Sequence, residues 1–279
     1  MATIIALANQ KGGVGKTTTA INLAAYLAAK GKFVLMFDMD PQANASSGLG
    51  IDYRSIPHGT YEALIGQKRV TDIVTHTAHE GLRVAPATMA LAGAGIELVN
   101  IEGREFKLRE ALSEVRNDYD YILIDCPPSL GLLTLNSFVA ADYILIPVQA
   151  EYYALEGLGQ LLQTISLVQE HLHPTVSVLG AVITMFDNRN SLSNQVMMEL
   201  YKYFPNTIFR TIIPRSVRLA EAPSHGKTIL GYDASSRAAK AYERLAEEFL
   251  HVMDQKLESL YRSQAQTVPA PLPQQLPQY

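Results

Sequence analysis

The sequence predicts an α/β fold, a mostly parallel twisted sheet flanked by helices on both faces. Three observations point there: short apolar or β-branched runs alternate with helical patterns, a glycine-rich loop joins the first run to the first helix, and two runs end in aspartate. Strand ends of that kind are where open α/β sheets hold ligands. At 279 residues, 48% hydrophobic and 18% charged, the chain can bury a sizeable core and is no disordered polyelectrolyte.

Taken in order, strands are expected at Thr3–Ala8, Phe33–Phe37, Leu82–Ala85, Tyr121–Ile124, Tyr143–Val148, Val176–Thr184 and Ile208–Ile213. The clearest helix follows Lys16, with Ala20, Leu23, Ala24 and Leu27 at helical spacing and Gly31 as its stop. Further helices are expected over about 90–116, 153–171, 191–203 and 236–262. Alternating strands and helices imply crossover connections, hence parallel pairing. Neither an internal repeat nor a Pro/Gly/Ser-rich linker divides residues 1–262, so one domain is expected there. Ser263 to Tyr279 holds four prolines, five glutamines and no charge, the composition of a flexible, partly polyproline-like tail.

The sharpest chemical signal is Gln10-Lys11-Gly12-Gly13-Val14-Gly15-Lys16-Thr17-Thr18, between the first strand and the first helix. Such glycines let backbone N–H groups face oxyanions, and the helix N-terminus adds partial positive charge. Lys16 is placed to reach the β/γ-phosphates and Thr17 to ligate Mg²⁺. The loop departs from the ordinary G-x-x-x-x-G-K-T pattern, with Gln10 in place of glycine and an extra cation at Lys11. That cation can fold back on its own nucleotide or reach phosphates held by another subunit, the device of an arginine finger. Asp125, ending Tyr121–Ile124, fits a carboxylate that supports Mg²⁺, and Asp38 or Asp40 fits one that orients or deprotonates attacking water.

These residues resemble the ParA/MinD superfamily of P-loop ATPases with a deviant phosphate loop, a SIMIBI-like architecture. Asp38–Gln42, Asp125–Ser129, Pro147–Gly157 and Ile213–Ser224 resemble its chromosomal ParA/Soj branch, and with the loop they give five motifs in the right order. The resemblance implies a Mg²⁺-dependent ATPase whose homodimer sandwiches two ATP molecules, with Gly12, Gly13, Val14, Gly15, Lys16, Thr17 and Thr18 cradling phosphate and Lys11 crossing to the partner's nucleotide. It further implies that Asp40 positions the hydrolytic water, that Thr17 binds Mg²⁺ directly with Asp125 in support, and that Pro214 and Ser216 line the adenine. Ser216 stands where relatives often carry asparagine. The implied cycle has an ATP-bound dimer on non-specific double-stranded DNA, released when a ParB-type partner stimulates hydrolysis.

The net charge of −4 gives no global sign of a nucleic-acid partner, yet the charge is unevenly spread. Residues 207–244 carry seven basic side chains (Arg210, Arg215, Arg218, Lys227, Arg237, Lys240 and Arg244) against three acids. Arg189 and Arg218 also match DNA-contacting positions in the resembling family, and Lys227, in the same basic stretch as Arg218, is a further candidate. Dimerisation would double the phosphate contacts of such a patch.

Competing readings fit less well. A MinD-like positioning or division regulator would end in a basic amphipathic helix, whereas Leu245–Arg262 carries four acids against two bases. An iron–sulfur electron carrier needs more thiols than Cys126 alone. The pairs His76/His79 and His171/His173 lack a third ligand nearby. With the phosphate loop beginning at residue 10, no preceding helix-turn-helix is expected, and without an apolar membrane-length run the expected location is cytoplasmic and nucleoid-associated.

Overall fold

The computed structural model describes residues 1–151, 154–204 and 207–266. Seven strands form one sheet: β1 (Thr3–Leu7), β2 (Val34–Asp38), β3 (Thr75–His76), β4 (Leu82–Ala85), β5 (Tyr121–Asp125), β6 (Tyr143–Gln149) and β7 (Ser177–Thr184). Their order is β3-β4-β2-β5-β1-β6-β7, and every pairing is parallel except β3 with β4. Side chains alternate between two apolar layers, so the strands read as near-continuous hydrophobic runs. Ile4, Ala6, Leu35, Phe37, Ile122 and Ile124 face one layer. Ile5, Leu7, Val34, Met36 and Leu123 face the other, against helix α1 (Lys16–Ala29) and the C-terminal helix Arg237–Gln266.

Register fixes the site. Leu7 pairs with Asp125 and Asp38 pairs with Asp125, so the phosphate loop and both strand-end carboxylates emerge side by side at the C-terminal ends of the three central strands.

Several elements depart from expectation. Ile208–Ile213 makes only isolated bridges, through Ile208 to Ala181 and Pro214 to Phe186. Its midpoint is drawn off the sheet, because the Arg210 and Thr211 amides donate to the Glu248 carboxylate at 2.6 and 2.9 Å instead of to β7. The helix expected over 90–116 breaks into Leu91–Glu97, two short 3₁₀ turns and Lys107–Ser113, with Gly103 at φ 66° between them. Such a left-handed residue cannot sit inside an α-helix. Helix Leu132–Ala140 and the two-residue β3 were not expected. The C-terminal helix continues to Gln266, four residues into the expected tail, and 267–279 lie outside the described residues.

Candidate nucleotide site and basic surface

The phosphate loop is tied down from two strands. The Asn9 side-chain amide donates to the Pro147 carbonyl at 2.8 Å, and its oxygen accepts the Lys11 amide at 3.0 Å. The Thr184 hydroxyl, at the end of β7, donates to the Val14 carbonyl at 2.7 Å. Gly13 and Gly15 take φ of 74° and 84°, the left-handed region that glycine enters without steric cost, and Gly15 leads directly into α1. A cavity of about 460 Å³ opens over this turn. Gly12, Gly13, Gly15, Lys16, Thr17 and Thr18 form its floor, and Asp40 forms part of its wall.

Three charged groups meet beneath the loop. Lys16 is buried and its ammonium donates to the Lys11 carbonyl at 3.1 Å. Burial pulls its pKa down, while the neighbouring carboxylates, Asp125 first and then Asp40, push it back up. Asp125 is fully buried, and neither carboxylate oxygen has a hydrogen-bond partner. Burial, followed by repulsion from Asp38, raises its pKa well above the carboxylate range; the neighbouring Thr17 hydroxyl opposes this without making a well-formed hydrogen bond. An orphaned buried carboxylate costs free energy unless something binds it. With the Thr17 hydroxyl beside it, the donor set is all oxygen and suits a hard divalent cation such as Mg²⁺.

Asp38 and Asp40, both open as water-directing groups from the strand pattern and separated in favour of Asp40 only by the resemblance, have separate surroundings. Asp38 accepts the Asp40 amide at 3.1 Å, the Ser46 amide at 2.9 Å and the Ser46 hydroxyl at 2.7 Å. Its carboxylate thus fastens the turn after β2, and burial lifts its pKa to about 6. Asp40 accepts the Gln42 amide on one oxygen and borders the cavity. Of the two, Asp40 alone borders the cavity. Cys126 is buried with its thiol pushed up to about 12, which leaves it neutral and unreactive.

Pro214 and Ser216 do not line the phosphate-loop cavity. They border a second one, of about 860 Å³, together with Arg189, Arg215, Arg237, Lys240 and Arg244. Arg189 is held by Asp187 through two hydrogen bonds of 2.9 and 2.7 Å, which drop the Asp187 pKa to about 2. Arg218 pairs with Glu221 at 3.0 Å and Asp233 at 3.6 Å, and Lys227 is exposed. Residues 217–227 join the two regions: Leu219, Ala220 and Pro223 wall the phosphate-loop cavity from the same segment that carries Arg218 and Lys227. Asn22 of α1 pins the following turn, donating to the Thr18 carbonyl at 2.7 Å and accepting the Ile229 amide at 2.7 Å. Neither Asn22 nor the Thr184 contact stands out in the sequence, since each depends on a partner more than 150 residues away. Among the described residues no cluster of three or more His, Cys, Asp or Glu could hold a metal ion, and no helix is long and apolar enough to cross a membrane.

Comparison with known proteins decides the family. The AAA_31 family model, an AAA domain, matches residues 2–178. The chain is 55% identical over 248 residues to the sporulation initiation inhibitor protein Soj of Bacillus subtilis, covering 89% of this chain and 98% of that protein. The chain belongs to the ParA/Soj family. Another relative, the chromosome-partitioning ATPase Soj of Treponema pallidum, is 48% identical over 250 residues, covering 90% of this chain and 98% of that protein. Matches of this length extend past residue 178, so the ParA/Soj likeness also takes in part of the chain beyond the AAA domain. Among solved structures, cobyrinic acid a,c-diamide synthase from Mycobacterium smegmatis with bound ATP analog and magnesium superposes with a TM-score of 0.81 at 36% identity, covering 91% of this chain and 96% of that one.

Proposed function

We propose that the chain is a DNA-segregation ATPase: two subunits close over two ATP molecules, the ATP-bound homodimer holds double-stranded DNA without sequence preference, and hydrolysis stimulated by a ParB-type partner releases it. The observation that carries this reading is the meeting of Lys16, Asp40 and the unpartnered Asp125 around one glycine-rich turn. The relatives' names, chromosome-partitioning ATPase among them, support the same reading. The diamide synthase named above shares the fold, but fold alone does not carry a reaction across.

In this mechanism the amides of residues 12–18 and the N-terminus of α1 bind the phosphates. Lys16 exchanges its contact with the Lys11 carbonyl for phosphate oxygens. Asp40 holds the attacking water in line. Thr17 and Asp125 would hold Mg²⁺, which supplies charge that offsets the phosphate oxygens. Lys11 crosses to the nucleotide of the second subunit. Pro214 and Ser216 would reach the base only if the 213–216 stretch moves toward the phosphate-loop cavity or the base lies outside it. Arg189, Arg218 and Lys227 engage DNA phosphates, and closing two subunits doubles those contacts. Residues 1–262 form the ATPase unit and 263–279 its appended tail, and the site of action is the nucleoid in the cytoplasm. Acidic residues on the last helix disfavour a MinD-like attachment to anionic lipid.

The test is retention on DNA across a salt series with no nucleotide, ADP or ATP. Retention only with ATP, falling steeply with salt, is expected; equal retention in all three conditions would overturn the switch.

A further inference from the structure

We propose that Glu151 is a positioning residue that holds Lys11 within its own subunit until a second subunit arrives. This rests on the reading of Lys11 as the residue that crosses between subunits.

Glu151 lies two residues past the end of β6, and β6 also supplies the Pro147 carbonyl that ties down Asn9 at the entry to the phosphate loop. Lys11 is therefore held at both ends by one strand and the turn that follows it: its backbone through Asn9 and its ammonium through Glu151 Oε2, at 3.5 Å. The other carboxylate oxygen accepts the Gln149 side-chain amide at 2.5 Å and lies 3.7 Å from the Arg215 guanidinium. One carboxylate thus stands between two cations, one from the phosphate loop and one from the rim of the basic cavity.

This arrangement makes exchange cheap. When Lys11 departs for a partner's phosphates, Glu151 keeps Gln149 and Arg215 and is not stranded as an uncompensated charge. The Lys11 and Glu151 side chains are 33% and 46% exposed, so solvent screens their attraction and the contact can be broken. While it lasts, it holds the extra cation of the loop against a carboxylate of its own chain and partly neutralises it.

Closing a dimer breaks this contact twice, once per subunit, so its removal enters the dimerisation constant squared. An exposed ion pair is worth about 1.4- to 5-fold, which gives about 2- to 25-fold for two. The experiment is sedimentation equilibrium with a non-hydrolysable ATP analogue on the full chain, comparing wild type, Glu151→Gln, Glu151→Asp, Lys11→Ala and the Lys11→Ala/Glu151→Gln double variant. Glu151→Gln should dimerise at about 2- to 25-fold lower concentration, Glu151→Asp should stay within about twofold of wild type, and the double variant should behave as Lys11→Ala alone. Dimerisation of Glu151→Gln equal to or weaker than wild type overturns the proposal, as does promotion that persists without Lys11. A wild-type chain that stays monomeric with the analogue while the variant does too would instead overturn the two-subunit reading, and this inference with it.

Discussion

The phosphate-loop cavity and the basic cavity beside it are built on opposite physical terms. In the first, Lys16, Asp38, Asp40 and Asp125 are all buried, and the backbone is fixed by hydrogen bonds from Asn9 and Thr184. At the second, Arg189 lines the cavity and Arg218 lies just outside it, both exposed and each paired with a carboxylate of its own neighbourhood. A buried charged site is organised before its ligand arrives and carries that cost in the folded state. An exposed, ion-paired site costs little and responds to salt and to competing phosphates. The contrast teaches which half should tolerate substitution and which should not.

The largest effects should come from the buried half. Lys16→Ala removes the buried ammonium beneath the loop, and ATP binding should fall by at least about 100-fold in calorimetry. Asp40→Ala should keep nucleotide and DNA binding while turnover drops about 10²–10⁴-fold in a phosphate-release assay, trapping the dimer on DNA; normal turnover would move water activation elsewhere. Next in size, Arg189→Glu or Arg218→Glu should weaken DNA retention by about tenfold or more at moderate salt and reduce the salt slope by about one or two units, with ATP-dependent dimerisation intact. Loss of dimerisation as well would show that the two cavities are not separable.

The smallest effect sharpens the cost argument. Asp125→Asn removes a buried carboxyl whose ionised form is unpartnered and repelled by Asp38, so the nucleotide-free protein should lose little stability or gain slightly in thermal melts, while Mg²⁺-ATP should stabilise it less than it does wild type. The pH dependence has a definite sign. Burial raises the Asp38 pKa from an ordinary 3.8 to about 6, so the folded state binds the proton more tightly than the unfolded one. Stability of the nucleotide-free protein should therefore decline as pH rises from about 4 to about 6, by roughly 3 kcal/mol at most for this group. Denaturant melts at a series of pH values would check this, and a rise over that window would contradict it.

Much of the buried half was legible in sequence because its chemistry is local: glycines, lysine and threonine lie within nine residues, and both carboxylates end apolar strands. Strand pattern alone left Asp38 and Asp40 equivalent, and only the family resemblance picked Asp40, since the partner that occupies Asp38 is Ser46, eight residues on. Helix Leu132–Ala140 escaped notice because polar Asn136 and Ser137 face inward, where Asn136 serves the Leu108 amide and the Arg104 and Leu132 carbonyls. Ile208–Ile213 has the composition of a strand, and only the distant Glu248 makes it something else. In the basic half, the charge excess was visible, but the cavity that gathers Arg189 with Arg215, Arg237, Lys240 and Arg244 is a product of folding.

Cys126 is the one cysteine of the chain, fully buried and with its thiol held protonated at neutral pH. A cysteine introduced on the exposed surface of residues 217–227 would be the single site open to maleimide chemistry, with no native thiol to delete first. A fluorophore there would lie on the segment that walls the nucleotide cavity and carries Arg218 and Lys227, so one label could follow both occupancy events in the same sample.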